Sequence, residues 1–310
     1  MKERFVIGTR GSRLALWQSE WVKMEIERRF PGVTVELEII RTRGDRILDV
    51  PLAKVGGKGL FVKEIEDALL SGRVDMAVHS MKDMPAKIPE GLVIGAVPKR
   101  EDPRDALICA SASGLSELPE GAKVGTASLR RSAQLLAARP DLQISSLRGN
   151  LDTRLKKLET GGFDAIVLAA AGLKRMEMDN RISEHLPVET VLPAVGQGAL
   201  CVEIRENDPE VAPIMAALDD PETRTVVLGE RAFLHRLEGG CQTPIAGHGH
   251  LDENGVFHMT GLVASLDGKT VIREDTSGPG AESESLGRDL ADLLRERGAA
   301  EILASVNPPG

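Results

Sequence analysis

Short apolar runs alternating with helix-periodic segments are the strongest constraint on this chain of 310 residues. Phe5-Val6-Ile7-Gly8 reads as a strand, and a helix is expected from Ser12 with Leu14, Trp17, Trp21 and Met24 on one face. Val33 to Thr42, Asp75 to Ser80 and Leu92 to Ala96 read as strands, and Leu60 to Leu70 as a helix. The polar stretch Glu101-Asp102-Pro103-Arg104-Asp105 breaks the pattern. It resumes with strand Lys123 to Thr126, a helix from Ser128, strand Gln143 to Leu147, a helix from Asn150 and strand Ala165 to Ala169. Such alternation buries its apolar faces as a parallel sheet with helices on both sides. The expected fold is α/β and doubly wound.

The texture changes near Asp219. Asp220-Pro221 reads as an N-cap and first helical position. The helix that follows puts Val226, Val227, Phe233, Leu234 and Leu237 on one face, with Gly239-Gly240 ending it. Asp252-Glu253-Asn254-Gly255 and Asp267-Gly268 are hairpin signals, and a last helix covers about 281–297. These elements suit a small α+β C-terminal domain. A faint internal echo links Gly8-Thr9-Arg10-Gly11-Ser12 to Gly125-Thr126-Ala127-Ser128, each a strand end, a tight turn and a serine N-cap. A helix start of this kind offers N–H groups to an anion, although capping alone would also explain the serine.

Charge narrows the partners. A net charge of -8 disfavours nucleic acid. Yet between Ser128 and Arg175 nine Lys/Arg stand against four Asp/Glu, which suggests a small anionic ligand. Met1 to Gly8 runs into a strand without an apolar signal core, and no apolar stretch is of membrane-spanning length. The expectation is a cytoplasmic protein with no membrane partner. Three cysteines far apart do not suggest a disulfide framework. Cys109 and Cys201 lie in apolar runs and read as buried strand residues. Cys241, in Gly239-Gly240-Cys241-Gln242-Thr243-Pro244, is either a small buried hydrophobe or an exposed thiol put to chemical use.

Ligands of open α/β sheets bind outside the carboxyl ends of the strands. Those positions carry Thr9, Arg10 and Ser12; Lys82 and Asp83; Ser128, Arg130 and Arg131; Arg148, with Arg154 beyond it; and Lys174 with Arg175. Arginine's planar fork suits carboxylate or phosphate, and repeated arginines imply a ligand with several acidic groups. Asp83 is the one prominent acid among them. It is a salt-bridge partner, or it stabilises a cation or moves a proton. Gly56-Gly57-Lys58-Gly59 lacks P-loop spacing and reads as a mobile lid joined to Gly44-Asp45-Arg46. His248-Gly249-His250 reads as strand alternation rather than metal ligation, and His79 as a satisfied, semi-buried histidine.

At these residues the sequence resembles the porphobilinogen deaminase (hydroxymethylbilane synthase) family. The matching segments are Thr9-Arg10-Gly11-Ser12, Lys58-Gly59-Leu60-Phe61-Val62-Lys63-Glu64-Ile65, and Val78-His79-Ser80-Met81-Lys82-Asp83-Met84-Pro85. They continue through Gly125 to Arg131, Arg148-Gly149-Asn150-Leu151-Asp152-Thr153-Arg154, Leu192 to Leu200, and the loop Glu238 to Pro244. Met176-Glu177-Met178 and Ala246-Gly247-His248 look less typical of the family. The resemblance implies two periplasmic-binding-protein-like domains, 1–98 with 199–218 and 99–198, and a third domain, 219–310, carrying the cysteine. It implies a transferase that condenses four porphobilinogen molecules, releases four ammonia molecules and yields hydroxymethylbilane, a step of tetrapyrrole and haem biosynthesis. Its dipyrromethane cofactor, made from substrate, would be held by a thioether to Cys241.

By the same resemblance, Lys82, Ser80, Thr126, Ser128, Arg130 and Arg131 would bind the cofactor. Arg10, Ser12, Arg148, Arg154 and Arg175 would bind substrate, Lys58 would belong to the lid, and Asp83 would be catalytic. Partners would be porphobilinogen and its oligomers, with the enzyme a monomer. Hinge motion is expected near 99–103 and 196–200, with movement of loop 44–59. Two rival readings are a cytosolic two-lobed polyanion-binding regulatory module and a cysteine hydrolase using His235 as base; neither accounts for all of these segments.

Overall fold

The computed structural model describes residues 2–46, 62–239 and 243–306. Along the chain come β1 (Arg4–Thr9), α1 (Arg13–Arg29), β2 (Thr34–Ile39), α2 (Lys63–Leu70), β3 (Met76–Ser80) and β4 (Leu92–Ala96). Next are β5 (Asp105–Cys109), β6 (Lys123–Gly125), α3 (Leu129–Ala138), β7 (Gln143–Ser145), α4 (Leu151–Glu159), β8 (Ala165–Ala169), α5 (Ala170–Arg175) and β9 (Glu184–His185). Then follow β10 (Leu200–Arg205), α6 (Ala212–Leu218), α7 (Pro221–Arg236), β11 (Ile245–Leu251), β12 (Val256–Ala264), β13 (Val271–Pro279), α8 (Ser283–Leu294) and α9 (Ala300–Val306). The chain divides into two compact units, Met1–Glu101 with Ala199–Arg224, and Asp102–Gly198 with Thr225–Gly310.

In the first unit the sheet runs β2-β1-β3-β10-β4. Strand alternation buries both faces. Phe5 and Ile7 pack on one side with Val22 and Ile26 of α1 and Ile214 and Met215 of α6. On the other, Val6 and Ala77 meet Ile65 and Leu69 of α2. The sheet is mixed, not wholly parallel as expected: β1 pairs in parallel with β2 and β3, whereas β10 runs antiparallel to β3 and β4. β10 is entered by chain arriving from the other unit, so no helical crossover imposes parallel direction on it.

The expected face of α1 is also corrected. Its buried residues are Gln18, Ser19, Val22 and Ile26, and Met24 is 58% exposed. The docking stripe is turned roughly a third of a turn from Leu14-Trp17-Trp21-Met24. Val22 and Ile26 fit the sheet, and Gln18 donates to Ser80 Oγ at 2.8 Å, fixing the helix rotation at its start.

The second unit holds a sheet of order β7-β6-β8-β5-β9, with β6 parallel to β7 and β8, and β5 antiparallel to β8 and β9. Position by position this matches the first sheet, with β6 standing where β1 does. The sequence echo therefore marks equivalent strands. Ser12 Oγ accepts from Ala15 N at 3.3 Å, and Ser128 Oγ from Arg131 N at 3.4 Å, each closing a helix start after its strand.

The same unit contains the antiparallel sheet β11-β12-β13. Its turns are built as the sequence suggests: Asp252 Oδ1 accepts from Asn254 N and Val256 N, and Gly255 and Gly268 take φ of 74° and 71°. Phe233, Phe257, Leu290 and Leu294 form its core with α7 and α8. The left-handed residue closing α7 is Glu238 (φ 54°), one before the expected glycine pair, with Gly239 N bonded to Leu234 O at 3.0 Å. The last helical stretch extends beyond 297 after a break at Gly298 (φ 105°).

Gly287 of α8 lies against Gly229 of α7 so closely that a Cβ at 287 would run into the Gly229 carbonyl. Gly287→Ala is therefore expected to lower stability by about 1–3 kcal/mol, read as a lower urea midpoint at unchanged m-value. An unchanged midpoint would show that this backbone contact is not tight.

Candidate active site

In the first unit, the carboxyl ends of β1 and β3 open on a small cleft of about 70 Å³ lined by Arg10, Ser12, Gln18, His79, Ser80 and Asp83 among others. Ser12 reaches it because it caps α1. Ser80 ends β3, and its hydroxyl accepts from Gln18, leaving its own O–H to donate. A 3₁₀ turn, Met81–Asp83, follows. Its shape is set by Met81 and Met84, both buried, by Met84 N bonded to Met81 O, and by Met81 N bonded to Ala199 O. These anchors leave Lys82 half-buried and Asp83 exposed. Arg10, Ser12, Ser80 and Asp83, named from sequence, thus come together on one cleft, with Lys82 beside Asp83 in the turn.

In the second unit Arg130 and Arg131 follow the Ser128 cap and turn inward; they are 5% and 6% exposed. Both meet Asp105, the first residue of β5. Arg130 Nη1 donates to Asp105 Oδ2 and to Leu192 O, each at 2.7 Å. Arg131 donates from Nε and Nη2 to Asp105 Oδ1, at 2.9 and 2.7 Å, and from Nη1 to Val167 O at 3.0 Å. Gln197 Nε2 adds bonds to Asp105 Oδ1 at 3.0 Å and Pro103 O at 2.7 Å. Burial alone would raise the Asp105 pKa, but Arg130 and then Arg131 outweigh it and hold the carboxyl well below the usual carboxylate range. Two guanidinium groups against one carboxylate leave this cluster with one excess positive charge.

Arg154 and Arg175 are positioned by main-chain carbonyls. Asn150 caps α4 through Thr153 N at 2.9 Å, and Arg154 Nε donates to Gly149 O at 2.8 Å. Gly149 itself takes φ 112°. Arg148 and Arg154 are half-buried. Arg175 is buried and donates from Nη2 to Gly198 O at 2.6 Å. Thr126 is buried, and its Oγ1 accepts from Ser128 N at 3.2 Å. Cys241 and Lys58 lie outside the described residues, as does most of loop 44–59. On either side of residues 240–242, Gly239 N bonds to Leu234 O just past the end of α7, and Pro244 O accepts from Ala264 N at 3.1 Å.

Sequence reading did not single out Gln18, Asp105, Gln197 or Glu203. For Asp105 a signal existed, because two adjacent arginines on one helix turn need a counter-charge, and an acid directly before the apolar run Ala106 to Cys109 enters a buried strand. For Gln18 there was none, since a glutamine on a helix does not announce which way it faces.

Residues 5–213 match the family model described as porphobilinogen deaminase, dipyromethane cofactor binding domain, and residues 225–296 match that of its C-terminal domain. The chain is 54% identical over 307 residues to the porphobilinogen deaminase of Syntrophobacter fumaroxidans (strain DSM 10017 / MPOB), covering 99% of each chain. It is 55% identical over 312 residues to that of Nitratidesulfovibrio vulgaris (strain DSM 19637 / Miyazaki F), covering 99% of this chain and 98% of the relative. With that of Brevibacillus brevis (strain 47 / JCM 6285 / NBRC 100599) it shares 53% over 303 residues, 98% and 97% of the two chains.

Proposed function

The chain belongs to the porphobilinogen deaminase family, and we propose that it condenses four porphobilinogen molecules head to tail, releases four ammonia molecules and yields hydroxymethylbilane. Identity above half along nearly the whole chain carries this reading. It does not favour a polyanion-binding regulatory module. The excess positive charge at Asp105, Arg130 and Arg131 suits a group bearing acetate and propionate side chains, so the residues present fit a dipyrromethane cofactor. Lys82, Ser80, Thr126, Ser128, Arg130 and Arg131 would hold its acid groups, with Cys241 as the point of attachment. When bound, the cofactor supplies the free pyrrole carbon at which chain growth begins.

Substrate carboxylates are assigned to Arg10, Arg148, Arg154 and Arg175, with Ser12 assisting and Lys58 in the lid. Loss of ammonia from porphobilinogen leaves a cationic methylene-pyrrole. Asp83 accepts hydrogen bonds from pyrrole N–H groups, its negative charge opposes the developing positive charge, and it can take or return a proton. We assign three domains: 1–98 with 199–218, 99–198, and 219–310. Hinge motion near 99–103 and 196–200, with movement of loop 44–59, would accommodate the lengthening product. We also infer a cytoplasmic monomer with neither nucleic acid nor membrane as partner; no helix among the described residues is long and apolar enough to cross a membrane.

Intact mass under denaturing conditions tests the cofactor. The expected result is an adduct of two pyrrole units, pink with Ehrlich's reagent and absent from Cys241→Ala. Active enzyme with an unmodified Cys241 would refute the attachment.

A further inference from the structure

The register of β3 with β10 sets His79 opposite Cys201 and Ala77 opposite Glu203. Alternation turns these four side chains to the sheet face that α2 covers, where Ala77 packs with Ile65 and Leu69. There His79 Nε2 lies 3.1 Å from Glu203 Oε2, with side chains 4% and 0% exposed. Glu66 of α2, 7% exposed, is close enough to both for their charges to act on it. Oε1 of Glu66 and Oε1 of Glu203 are buried with no hydrogen-bond partner among the described residues. Two such oxygens are costly if both carboxyls are ionised, and less so if one of them carries a proton. Of the three, only His79 also lines the cleft, beside Ser80 and Asp83.

We propose that His79, Glu203 and Glu66 form a buried proton store beneath the first unit's cleft, loaded and emptied once per condensation; this rests on the deaminase reading above. Each condensation makes a C–C bond at a pyrrole carbon, breaks the C–H bond there and returns its electron pair to the ring. One proton must leave while the substrate's amine departs as ammonia. Asp83 meets that proton in the open cleft, His79 links the cleft to the two carboxyls that hold it, and the store empties by the same route when the released ammonia takes the proton and leaves as ammonium. Glu66 is suited to the task because burial, and then the charge of Glu203, push it up to about 7, with His79 acting in the opposite direction. Asp67 and Lys63 on its own helix act on it weakly in opposite senses. β4 carries no ionisable residue, and Arg4 of β1 is engaged by Glu36 at the surface. Around the imidazole, β10 presents Cys201 and Glu203, α2 presents Glu66, and the cleft contributes Arg10 and Asp83.

Infrared difference spectroscopy on the resting holoenzyme tests the store without turnover. The expected result is a protonated-carboxyl band that disappears as pH rises through about 7, is absent from Glu66→Gln, and moves to lower pH in Glu203→Gln, which removes the charge that lifts Glu66. In turnover, Glu66→Gln should lower kcat by about tenfold or more near neutral pH with KM unchanged, and should remove the neutral ionisation from the kcat profile. A parent protein lacking the band, or a Glu66→Gln enzyme with the parent's pH profile, overturns the proposal. Should Glu66→Gln not fold, the parent titration and the Glu203→Gln shift decide. An intact band in a parent protein that turns over no porphobilinogen overturns the deaminase reading and, with it, the coupling to condensation, a pattern distinct from the others.

Discussion

Asp83→Ala is expected to give a folded protein that keeps its covalent cofactor and loses nearly all turnover. The carboxylate is exposed, and its turn is held by Met81 and Met84, so removing the side chain leaves those anchors in place. Stability should change by less than about 0.5 kcal/mol, as for surface positions generally. Catalysis should not be spared. A single preorganised group facing charge that develops during reaction is worth about 3–4 kcal/mol, or a factor of about 10²–10³ in rate. Asp83→Asn keeps the shape without the charge and should lose nearly as much, while Asp83→Glu should retain more. The measurement is steady-state product formation beside a urea midpoint and intact mass. Near-parental kcat in Asp83→Ala would remove Asp83 from the mechanism.

Much of this arrangement is legible in the sequence. Ser12 and Ser128 were recognisable caps because an N-cap is a local device: a short hydroxyl, a preceding strand and a following helix lie within a few residues. The echo between the two segments carried fold information for the same reason, and it marks β1 and β6 as equivalent strands. What sequence did not reveal is decided by partners distant in the chain. The direction of β10 depends on where the chain re-enters the sheet. The rotation of α1 depends on Ser80, 62 positions away from Gln18. The inward turn of Arg130 and Arg131 depends on Asp105, 25 and 26 positions away in the chain. Periodicity cannot supply these, because each is a choice between two faces that are locally acceptable.

Asp105 therefore carries the largest expected effect on stability. Asp105→Ala would leave two adjacent guanidinium groups buried with no carboxylate between them, and would free Gln197 Nε2 from one of its two acceptors. Breaking a buried ion pair by removing one partner costs about 3–5 kcal/mol. Here the two cations also repel each other once the charge between them is gone. The expected result is a large fall in urea midpoint, with Asp105→Asn nearly as damaging because an amide restores hydrogen bonds but no charge. The pH dependence separates charge from packing. Asp105 has its folded pKa depressed from 3.8, so its contribution is complete above that value and is lost as pH falls through the lower folded value. The stability gap between parent and Asp105→Asn should therefore stay constant at neutral pH and narrow in strong acid. A gap that is small at neutral pH, or that does not narrow in acid, would mean that the arginines are held by their carbonyl contacts at Leu192 and Val167 rather than by the charge of Asp105.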